Sequence, residues 1–461
     1  MLTTFELLQK YDVPGPRYTS YPTVPIWRPS VGAADYISSI NKAVGAHPLS
    51  LYFHIPFCKK LCHFCGCMHV ITKDHSRSRP YVDALLIEMD HIIKALKNSN
   101  RDCSQIHFGG GTPNFLPPEE ISRIMQRVRD NFNILPSAEI AIEMHPREDP
   151  DMQRFCDTLK TEGFNRISLG VQDFNDEIQK LINRFQSFAT TKGMIDYLKK
   201  IGLEHFNFDL IYGLPGQNSI DQFKDTLAKT IFLKPNRIAC YSYAHVPWVH
   251  PVQRSFKDTD IPTPEQKLRL FETAINFFTT HGYHLIGIDH FADEGDELYA
   301  ALKNKSIHRN FMGYSTRADA HQIGLGVSSI SFVGGHYFQN HKTIEAYTTA
   351  VIQRGLATHR GFMLSADDTI RRSLITEIMC HREVDFKEFG ARQNIDFHSY
   401  FKDDLKLLTG FVDDGLITLD ADGLKITPRG YLVVRNIAMC FDKYLDEIKK
   451  NARNPVFSRT V

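Results

Sequence analysis

Hydrophobic and polar positions follow two different periods along the first three quarters of the chain. Short runs rich in β-branched and aromatic residues predict strands, and apolar residues at helical spacing predict amphipathic helices between them. Six such strand–helix units are present, with predicted strands at 50–57, 105–111, 139–145, 166–172, 205–214 and 237–245. Connections of this length favour parallel strands joined by right-handed crossovers. Six units are fewer than a closed eightfold barrel needs, so we predict an α/β fold with an open, partial, TIM-like (β/α)6 barrel.

The pattern changes near residue 360. Helical spacing predicts two or three helices, at about 365–380, 386–392 and 396–415. The segment 415–434 then predicts two short strands around a turn at 420–423, followed by a helix. Helices followed by a β-hairpin indicate a smaller, mostly α-helical, winged-helix-like C-terminal domain.

The N-terminal region predicts an irregular extension, because five prolines between positions 14 and 29 interrupt any long helix. We therefore divide the 461 residues into an N-terminal segment at 1–49, a barrel at 50–358 and a C-terminal domain at 359–461. A chain of this length is too long for one ordinary core, which agrees with more than one unit.

Composition excludes some broad classes of protein. The 54 Lys and Arg residues nearly balance the 53 Asp and Glu residues, which argues against general binding to nucleic acid or to a membrane surface. Winged-helix modules often bind DNA, but the Asp-rich turn of the predicted hairpin argues against that role here. The sequence shows no signal peptide and no run of eighteen apolar residues, so we expect a cytoplasmic protein without a membrane span.

The nine cysteines are placed unevenly. An odd number without a signal peptide does not indicate a disulfide framework. Five are scattered singly and are interpreted as small buried hydrophobic residues: Cys103, Cys156, Cys240, Cys380 and Cys440.

The other four cysteines lie within ten residues, directly after the first predicted strand. Cys58, Cys62 and Cys65 form the pattern C-x3-C-x2-C, and thiolates are the usual ligands of iron–sulfur clusters. A short loop can hold three corners of a cubane and leave the fourth iron open. Zinc is the alternative, although a structural zinc site usually has four ligands in two separated pairs. Cys67 is too close to Cys65 to reach a fourth corner easily, so we leave it off the metal.

Several motifs together resemble one family. The loop follows a strand, as in radical S-adenosylmethionine enzymes, and LYFHIPFCKKLCHFCGC (51–67) with GGGTP (109–113) is similar to oxygen-independent coproporphyrinogen III oxidases. The strings GPRYTSYPT (15–23), NFDLIYGLP (207–215) and HRNFMGYSTRAD (308–319) resemble the same family, so the likeness covers nearly the whole chain.

The resemblance implies an oxidoreductase of haem biosynthesis with one [4Fe–4S] cluster and two S-adenosylmethionine molecules. In that family a 5′-deoxyadenosyl radical removes a hydrogen from a propionate of coproporphyrinogen III, carbon dioxide leaves and a vinyl group remains. Two propionates react in this way, giving protoporphyrinogen IX. An electron-donor reductase is the implied partner, and we expect a monomer. The alternative is a related haem chaperone without oxidase activity, which lacks the 15–23 motif and typically has an aromatic residue at position 67.

The resemblance also assigns cofactor contacts. The first S-adenosylmethionine would contact Tyr52, Gly110, Glu143 and Ile330. The second would contact Phe64, Gly111, Thr112, Gln172, Arg184, Asp209 and Ala244. The residue types agree, since glycines allow close approach of backbone to a ligand and a carboxylate within an apolar strand is costly without a partner. The alternatives are an ordinary tight turn, core aromatic residues and a surface carboxylate.

Carboxylates of the substrate would need cationic partners, and arginine matches them in geometry. Arg17 and Arg309 are the candidates, and the alternative for each is a solvated surface arginine. Two positions depart from the family. Met312 stands where glutamine is usual, and His145 stands where aspartate or asparagine is expected. A thioether cannot donate the hydrogen bonds of an amide, so we expect Met312 to alter the rate of the reaction if that amide helps to hold the second cofactor or the substrate.

Overall fold

The computed structural model describes residues 4–43, 45, 47–97, 101–147, 151–451 and 456–460. Six parallel strands form the centre of one large sheet. They are β1 (Leu49–Ile55), β2 (Asp102–Gly110), β3 (Asn133–Met144), β4 (Arg166–Gln172), β5 (Phe206–Tyr212) and β6 (Arg237–Ser242). All six coincide with the predicted strands, and each pairs in parallel with the next along the chain. The predicted α/β class is confirmed.

Further strands extend this sheet on both sides. They are β7 (Tyr283–Leu285), β8 (His290–Asp293), β9 (His321–Leu325), β10 (Ile330–Val333), β11 (His336–Asn340) and β12 (Thr358–Phe362). The order across the sheet is β12-β11-β10-β9-β1-β2-β3-β4-β5-β6-β8-β7. Strand β9 adds a seventh parallel strand beside β1, whereas the outer strands on both sides are antiparallel. The sheet ends at two separate edges, so the barrel is open and partial, as predicted.

Helices precede the sheet and connect its strands. They are α1 (Thr4–Tyr11), α2 (Ala33–Ala43), α3 (Ser78–Ala95), α4 (Pro118–Asn131), α5 (Met152–Thr161), α6 (Asp176–Leu181), α7 (Phe188–Lys200), α8 (Ile220–Leu233), α9 (Pro264–Thr280), α10 (Glu297–Lys303) and α11 (Ile344–Arg354). Side chains cap several of these helices at their starts. At α9, the Thr263 hydroxyl accepts from the backbone amide of Gln266, and the Gln266 side chain accepts from the backbone amide of Thr263. Within the described part of the chain, no helix has the length and apolar character to cross a membrane.

The burial pattern of the central strands explains why their sequences are mostly apolar. Every side chain of β1 is buried except that of Tyr52, which is half-buried. Strands covered on both faces lose the alternation of a half-exposed sheet. Phe53 on β1 stacks on Phe108 of β2 at 4.7 Å between ring centroids, within the main hydrophobic core. Tyr52 and His54 lie on the opposite face of β1 from Phe53, because strand side chains alternate.

The C-terminal domain contains helices and a small sheet. Its helices are α12 (Ala366–His381), α13 (Phe386–Gln393), α14 (Phe397–Tyr400), α15 (Lys402–Lys406), α16 (Thr409–Asp413), α17 (Val434–Met439) and α18 (Leu445–Asn451). The predicted hairpin is present as Ile417–Leu419 and Gly423–Ile426, and Glu383–Asp385 adds a third strand to it. The single helix expected at 396–415 was wrong, since three short helices turn around Phe401 there. The domain limits stay a prediction; β12 ends at Phe362 and α12 begins at Ala366.

The two ends of the described chain pair with each other. The backbone amide of Gly15 donates to Ser458 at 3.1 Å, and that of Thr460 donates to Val13 at 2.9 Å. Arg435 of α17 lies between the two segments and donates to backbone carbonyls of both. The carbonyls that accept from its buried guanidinium belong to Gly15, Pro16, Arg459 and Thr460. This contact fixes the N-terminal segment against the C-terminal domain.

Candidate iron–sulfur and cofactor site

The predicted site residues lie mainly at one edge of the sheet. Carboxyl ends of parallel strands meet at the same edge, and binding sites of α/β folds are found there. The cysteine loop follows β1, the glycines 109–111 end β2, and Glu143 lies at the end of β3. Gln172 ends β4, and Asp209 lies within β5 opposite Gly170 of β4. The topology therefore brings the cysteines and the polar candidates to one place.

The three motif cysteines form the part of the site next to β1. Burial raises the pKa of the Cys58 thiol to about 11, and the nearby Cys65 and Cys62 add to the rise. Cys58 Sγ lies 3.2 Å from Thr112 Oγ1, and Arg184 Nη1 donates to Cys62 Sγ at 3.6 Å. Three thiolates this close repel one another, so they need the positive charge of bound metal. A hydroxyl and a guanidinium beside them stabilise the thiolate form.

The arrangement of these thiols suits a cluster. Among the residues that the structure describes, no three Cys, His, Asp or Glu side chains converge on a single metal ion. A cubane needs no such convergence, because each thiolate binds a different iron at its own corner. Cys67 is exposed, and its backbone carbonyl accepts from His69 Nδ1 at 2.8 Å. Its assignment as a residue outside the cluster stays a prediction.

Glu143 occupies the end of β3 in a half-exposed position. It accepts hydrogen bonds from the amide of Gly110 at 3.2 Å and from His107 Nε2 at 3.1 Å. Although burial opposes protonation of His107, the bond and attraction to Glu143 raise the pKa of this imidazole above its usual value. The Glu143 side chain keeps 41% of its surface exposed, so it has room for a further donor from a ligand.

Tyr52 and two histidines form the wall beside Glu143. Tyr52 stacks on His107 with ring centroids 5.9 Å apart. Burial lowers the pKa of His54 to about 4, so this ring is neutral. Its Nε2 lies 3.2 Å from the Met68 carbonyl and carries the proton, which leaves Nδ1 to accept from Tyr52 Oη at 3.1 Å. The sequence reasoning missed both histidines. The signal was present, since His54 is two positions from Tyr52 and His107 two positions from Gly109, so each shares a strand face with a predicted site residue.

Two glycines leave space that a side chain would fill. A Cβ at Gly109 would lie 2.7 Å from Glu143 Oε1 and 3.1 Å from the Tyr52 ring. Gly110 has a φ of +116°, and a Cβ there would meet the His54 ring at 2.7 Å. Only glycine fits both positions, so the expected role of an open backbone at 109–111 agrees with the geometry.

Gln172, Arg184 and Asp209 form a second polar group. Arg184 lies in the loop after α6, where it donates to the Gly170 carbonyl as well as to Cys62. Burial, followed by the charge of Glu143, raises the pKa of Asp209 to about 7, although Arg184 and His107 oppose the rise. Within the described chain, no hydrogen bond reaches the Asp209 carboxylate.

The remaining predicted cofactor contacts lie around this centre. Phe64 packs against a small apolar cluster that includes Ile182 and Tyr243. The carbonyl of Ala244 accepts from Gln253 Nε2 at 3.3 Å, just after β6. Ile330 begins β10, two strands from β1, where its carbonyl accepts from Gln322 Nε2 at 3.0 Å. Their assignment to cofactors stays a prediction.

These residues fit the cofactors that the motifs imply. Buried Arg184 Nε has no partner among the described residues, and the Asp209 carboxylate faces the same region without a donor. The site combines three grouped thiols, a half-exposed carboxylate and two side chains without full hydrogen bonding. A cluster with a charged, polar ligand would supply the missing partners.

The two candidate arginines for the substrate meet at Asp289. Arg17 Nη1 lies 3.2 Å from Asp289 Oδ2, and Arg309 Nη1 lies 3.9 Å from Oδ1. Only 4% of the Arg309 side chain is exposed, so it is not a solvated surface arginine. Met312 lies at the turn between the paired strands His308–Asn310 and Gly313–Ser315, and its amide donates to Asn310 Oδ1.

His145, the other departure from the family, lies just beyond β3. Its Nδ1 is buried without a partner among the described residues. Burial and several cations, including Arg184 and Lys60, lower the pKa of this imidazole well below its usual value. A neutral ring therefore stands where the resemblance predicts aspartate or asparagine.

Comparison with known proteins decides the family. The radical SAM superfamily model matches residues 52–229, and the HemN C-terminal domain model matches residues 364–433. The oxygen-independent coproporphyrinogen III oxidase of Escherichia coli is 43% identical over 456 residues, covering 99% of this chain and 98% of that protein. The chain belongs to the oxygen-independent coproporphyrinogen III oxidase family.

Other relatives and a solved structure agree. The oxidase of Synechocystis is 40% identical and covers 100% of both chains, and that of Pseudomonas aeruginosa is 40% identical over 99% of this chain and 98% of its own. The solved structure of coproporphyrinogen III oxidase (HemN) from Escherichia coli, described as a radical SAM enzyme, matches with a TM-score of 0.89. It is 42% identical and covers 93% of this chain and 98% of that one. The likeness therefore extends over both the barrel and the C-terminal domain.

Proposed function

We propose that this chain oxidatively decarboxylates two propionates of coproporphyrinogen III without oxygen, giving protoporphyrinogen IX. The observation that carries the proposal is the group of three thiols beside Glu143 and Asp209, in a chain that matches named oxidases along its whole length. When bound, the cluster and S-adenosylmethionine supply the one-electron chemistry that removes a hydrogen from a propionate. The haem chaperone is not favoured, because the relatives reported above carry the oxidase name.

Residues near β1 to β3 would hold the cluster and the first cofactor. Cys58, Cys62 and Cys65 would bind three irons, and a [4Fe–4S] cluster is the form that the family implies. Glu143 would accept hydrogen bonds from an amino or ribose group, since part of its carboxylate is exposed. Tyr52 offers an aromatic face, held by its bond to His54. Gly110 would allow the first S-adenosylmethionine to approach the backbone closely, and Ile330 would contact the opposite side of this cofactor.

Residues of β4 to β6 would hold a second S-adenosylmethionine. The support is a carboxylate and a guanidinium with free bonding capacity: Asp209 would pair with a cationic group and Arg184 with an anionic one. A zwitterionic amino acid group has both. The other members of this proposed contact set are Phe64, Gly111, Thr112, Gln172 and Ala244.

An electron-donor reductase would act as the protein partner, because the chemistry consumes an electron that the described chain does not itself provide. A cytoplasmic location would suit this chain, since its nine cysteines are all free thiols and reducing conditions preserve them. We expect the same conditions to favour assembly of the cluster.

The test measures cluster and products together. Anaerobically reconstituted protein should hold about four irons and four sulfides per chain and should convert coproporphyrinogen III to protoporphyrinogen IX, with methionine and 5′-deoxyadenosine formed. Alanine at Cys58, Cys62 or Cys65 should abolish iron binding and product. Cys440→Ala is the matched control, because this half-buried thiol lies in the C-terminal domain. Stoichiometric zinc without iron, or cofactor cleavage without product, would overturn the proposal.

A further inference from the structure

A small cavity lies at the same edge of the sheet, under the C-terminal domain. It has a volume of about 50 Å³ and contacts Tyr212 and Ser242, the last residues of β5 and β6. Three arginines from distant parts of the chain line it: Arg17, Arg435 and Arg459. The cavity has room for one small group such as a carboxylate.

The carboxylates near the cavity are already engaged. Asp289 lies 3.2 Å from Arg17 Nη1 and 2.6 Å from His290 Nδ1. Although burial opposes its ionisation, His290 and the arginines hold the pKa of Asp289 well below its usual range. Asp12 pairs with Arg459 at 2.5 Å. Arg435 donates only to backbone carbonyls, so within the described chain it has no carboxylate partner.

Two further cations lie close to the lining residues of the cavity and are not fully hydrogen-bonded. Lys267 of α9 lies one turn before Phe271, which lines the cavity, and its ammonium makes no hydrogen bond or ion pair with any described residue. Burial lowers the pKa of Lys267 to about 8; Asp12 opposes this shift, and Arg17 and Arg435 add to it. Arg309 Nη1 is buried and has no hydrogen-bond partner in the described chain.

The charges around the cavity do not balance. Arg459 is 63% exposed and pairs with Asp12, which leaves four cations, from Arg17, Lys267, Arg309 and Arg435, around the one carboxylate of Asp289. Buried cations are costly unless anions pair with them. A surplus of three positive charges at a strand-end cavity therefore indicates an anionic ligand, and carboxylates match guanidinium and ammonium donors.

We propose that this cavity, with Lys267 at its rim, binds a propionate carboxylate of the substrate. This rests on the proposed function, which supplies a tetracarboxylate. The propionate bound here is one that does not react. The cavity lies at β5 and β6, whereas the cysteine loop follows β1, at the other end of the six parallel strands. Pairing with cations also stabilises a carboxylate against loss of carbon dioxide, so the cavity anchors the macrocycle while another propionate reaches the cofactors.

The test measures binding and turnover by the reconstituted holoenzyme. The probes are coproporphyrin III, which has four carboxylates, and its tetramethyl ester, which has none. Lys267→Met should weaken binding of coproporphyrin III about tenfold or more, since it removes a charged hydrogen-bond donor. Binding of the ester should not change. The KM for coproporphyrinogen III should rise while kcat stays near the wild-type value, as expected when the lost contact binds substrate and transition state equally.

Two further variants serve as controls. Lys267→Arg keeps the charge and should restore most of the affinity. Lys224→Met makes the same exchange on α8, where Lys224 is half-exposed and pairs with Asp221, and it should behave as wild type. Unchanged binding of the tetra-acid by Lys267→Met, or an equal loss for the ester, would overturn the proposal. Failure of the proposed function would show separately, as wild-type protein that forms no protoporphyrinogen IX.

Discussion

Replacing Asp209 by asparagine should stabilise the cofactor-free protein and weaken cofactor binding. The carboxylate lies within β5, and burial raises its pKa from 3.8 to about 7. The unfolded chain releases this proton near pH 4, whereas the folded chain keeps it until near pH 7. Between these values the folded state binds more protons, so stability falls as pH rises.

The size of the effect follows from the shift. A rise of about 3 pH units corresponds to about 4 kcal/mol of unfolding free energy lost above pH 7. Asparagine has no such cost, so Asp209→Asn should be more stable than wild type at pH 8, by up to about 4 kcal/mol. The difference should fall to about 1 kcal/mol at pH 4.5 and vanish below about pH 3, where both states of the wild type are protonated.

The assay is urea unfolding of cluster-free protein at pH 8 and at pH 4.5, with exposed Asp221→Asn as the matched control. Binding of S-adenosylmethionine to the reconstituted variant should weaken, because an amide cannot pair with a cationic group as a carboxylate does. Equal stability at pH 8, or a gain of the same size at both pH values, would refute the reasoning.

Three other variants test separate features. Cys67→Ala should keep about four irons per chain yet reduce turnover, and loss of the cluster would show that three ligands are too few. Met312→Gln should increase the yield of protoporphyrinogen IX, about tenfold to hundredfold if a hydrogen bond to a charged group is regained, at constant iron content; an unchanged yield would show that the amide is dispensable here. Arg435→Met should lower the unfolding free energy, measured by urea unfolding, by about 2–4 kcal/mol, because buried carbonyls lose a charged donor. An unchanged unfolding free energy would show that water replaces the guanidinium.

The sequence predicted the parts of the fold that have a local pattern. The six central strands combine apolar runs with helical stretches between them, and all six are present. The outer strands have three to five residues each, too few to show a period, and they were missed. The prediction of a single helix at 396–415 was wrong because Phe401 and its neighbours are buried in the core of the C-terminal domain, a contact that helical spacing alone does not show.

The site was predicted unevenly for a similar reason. Glu143 was predicted because it lies at a strand end, and Asp209 because a carboxylate within an apolar strand is costly without a partner. His54 and His107 were missed because they act through neighbouring side chains, those of Tyr52 and Glu143. No sequence pattern indicated a role for Lys267, since its cationic neighbours come from the two ends of the chain. Contacts between residues so far apart in sequence leave no trace in a local window.

The pairing of residues 13 and 460 imposes an order of events during synthesis. These residues are 447 positions apart, so at ordinary translation rates the second leaves the ribosome roughly 20–90 s after the first. Until then, the segment that carries Arg17 has no tail to hold it over the strand ends. Arg435, which donates to the carbonyls of Gly15 and Pro16, is itself made only after the barrel, so the N-terminal segment can complete its docking only once the barrel strands have been synthesised.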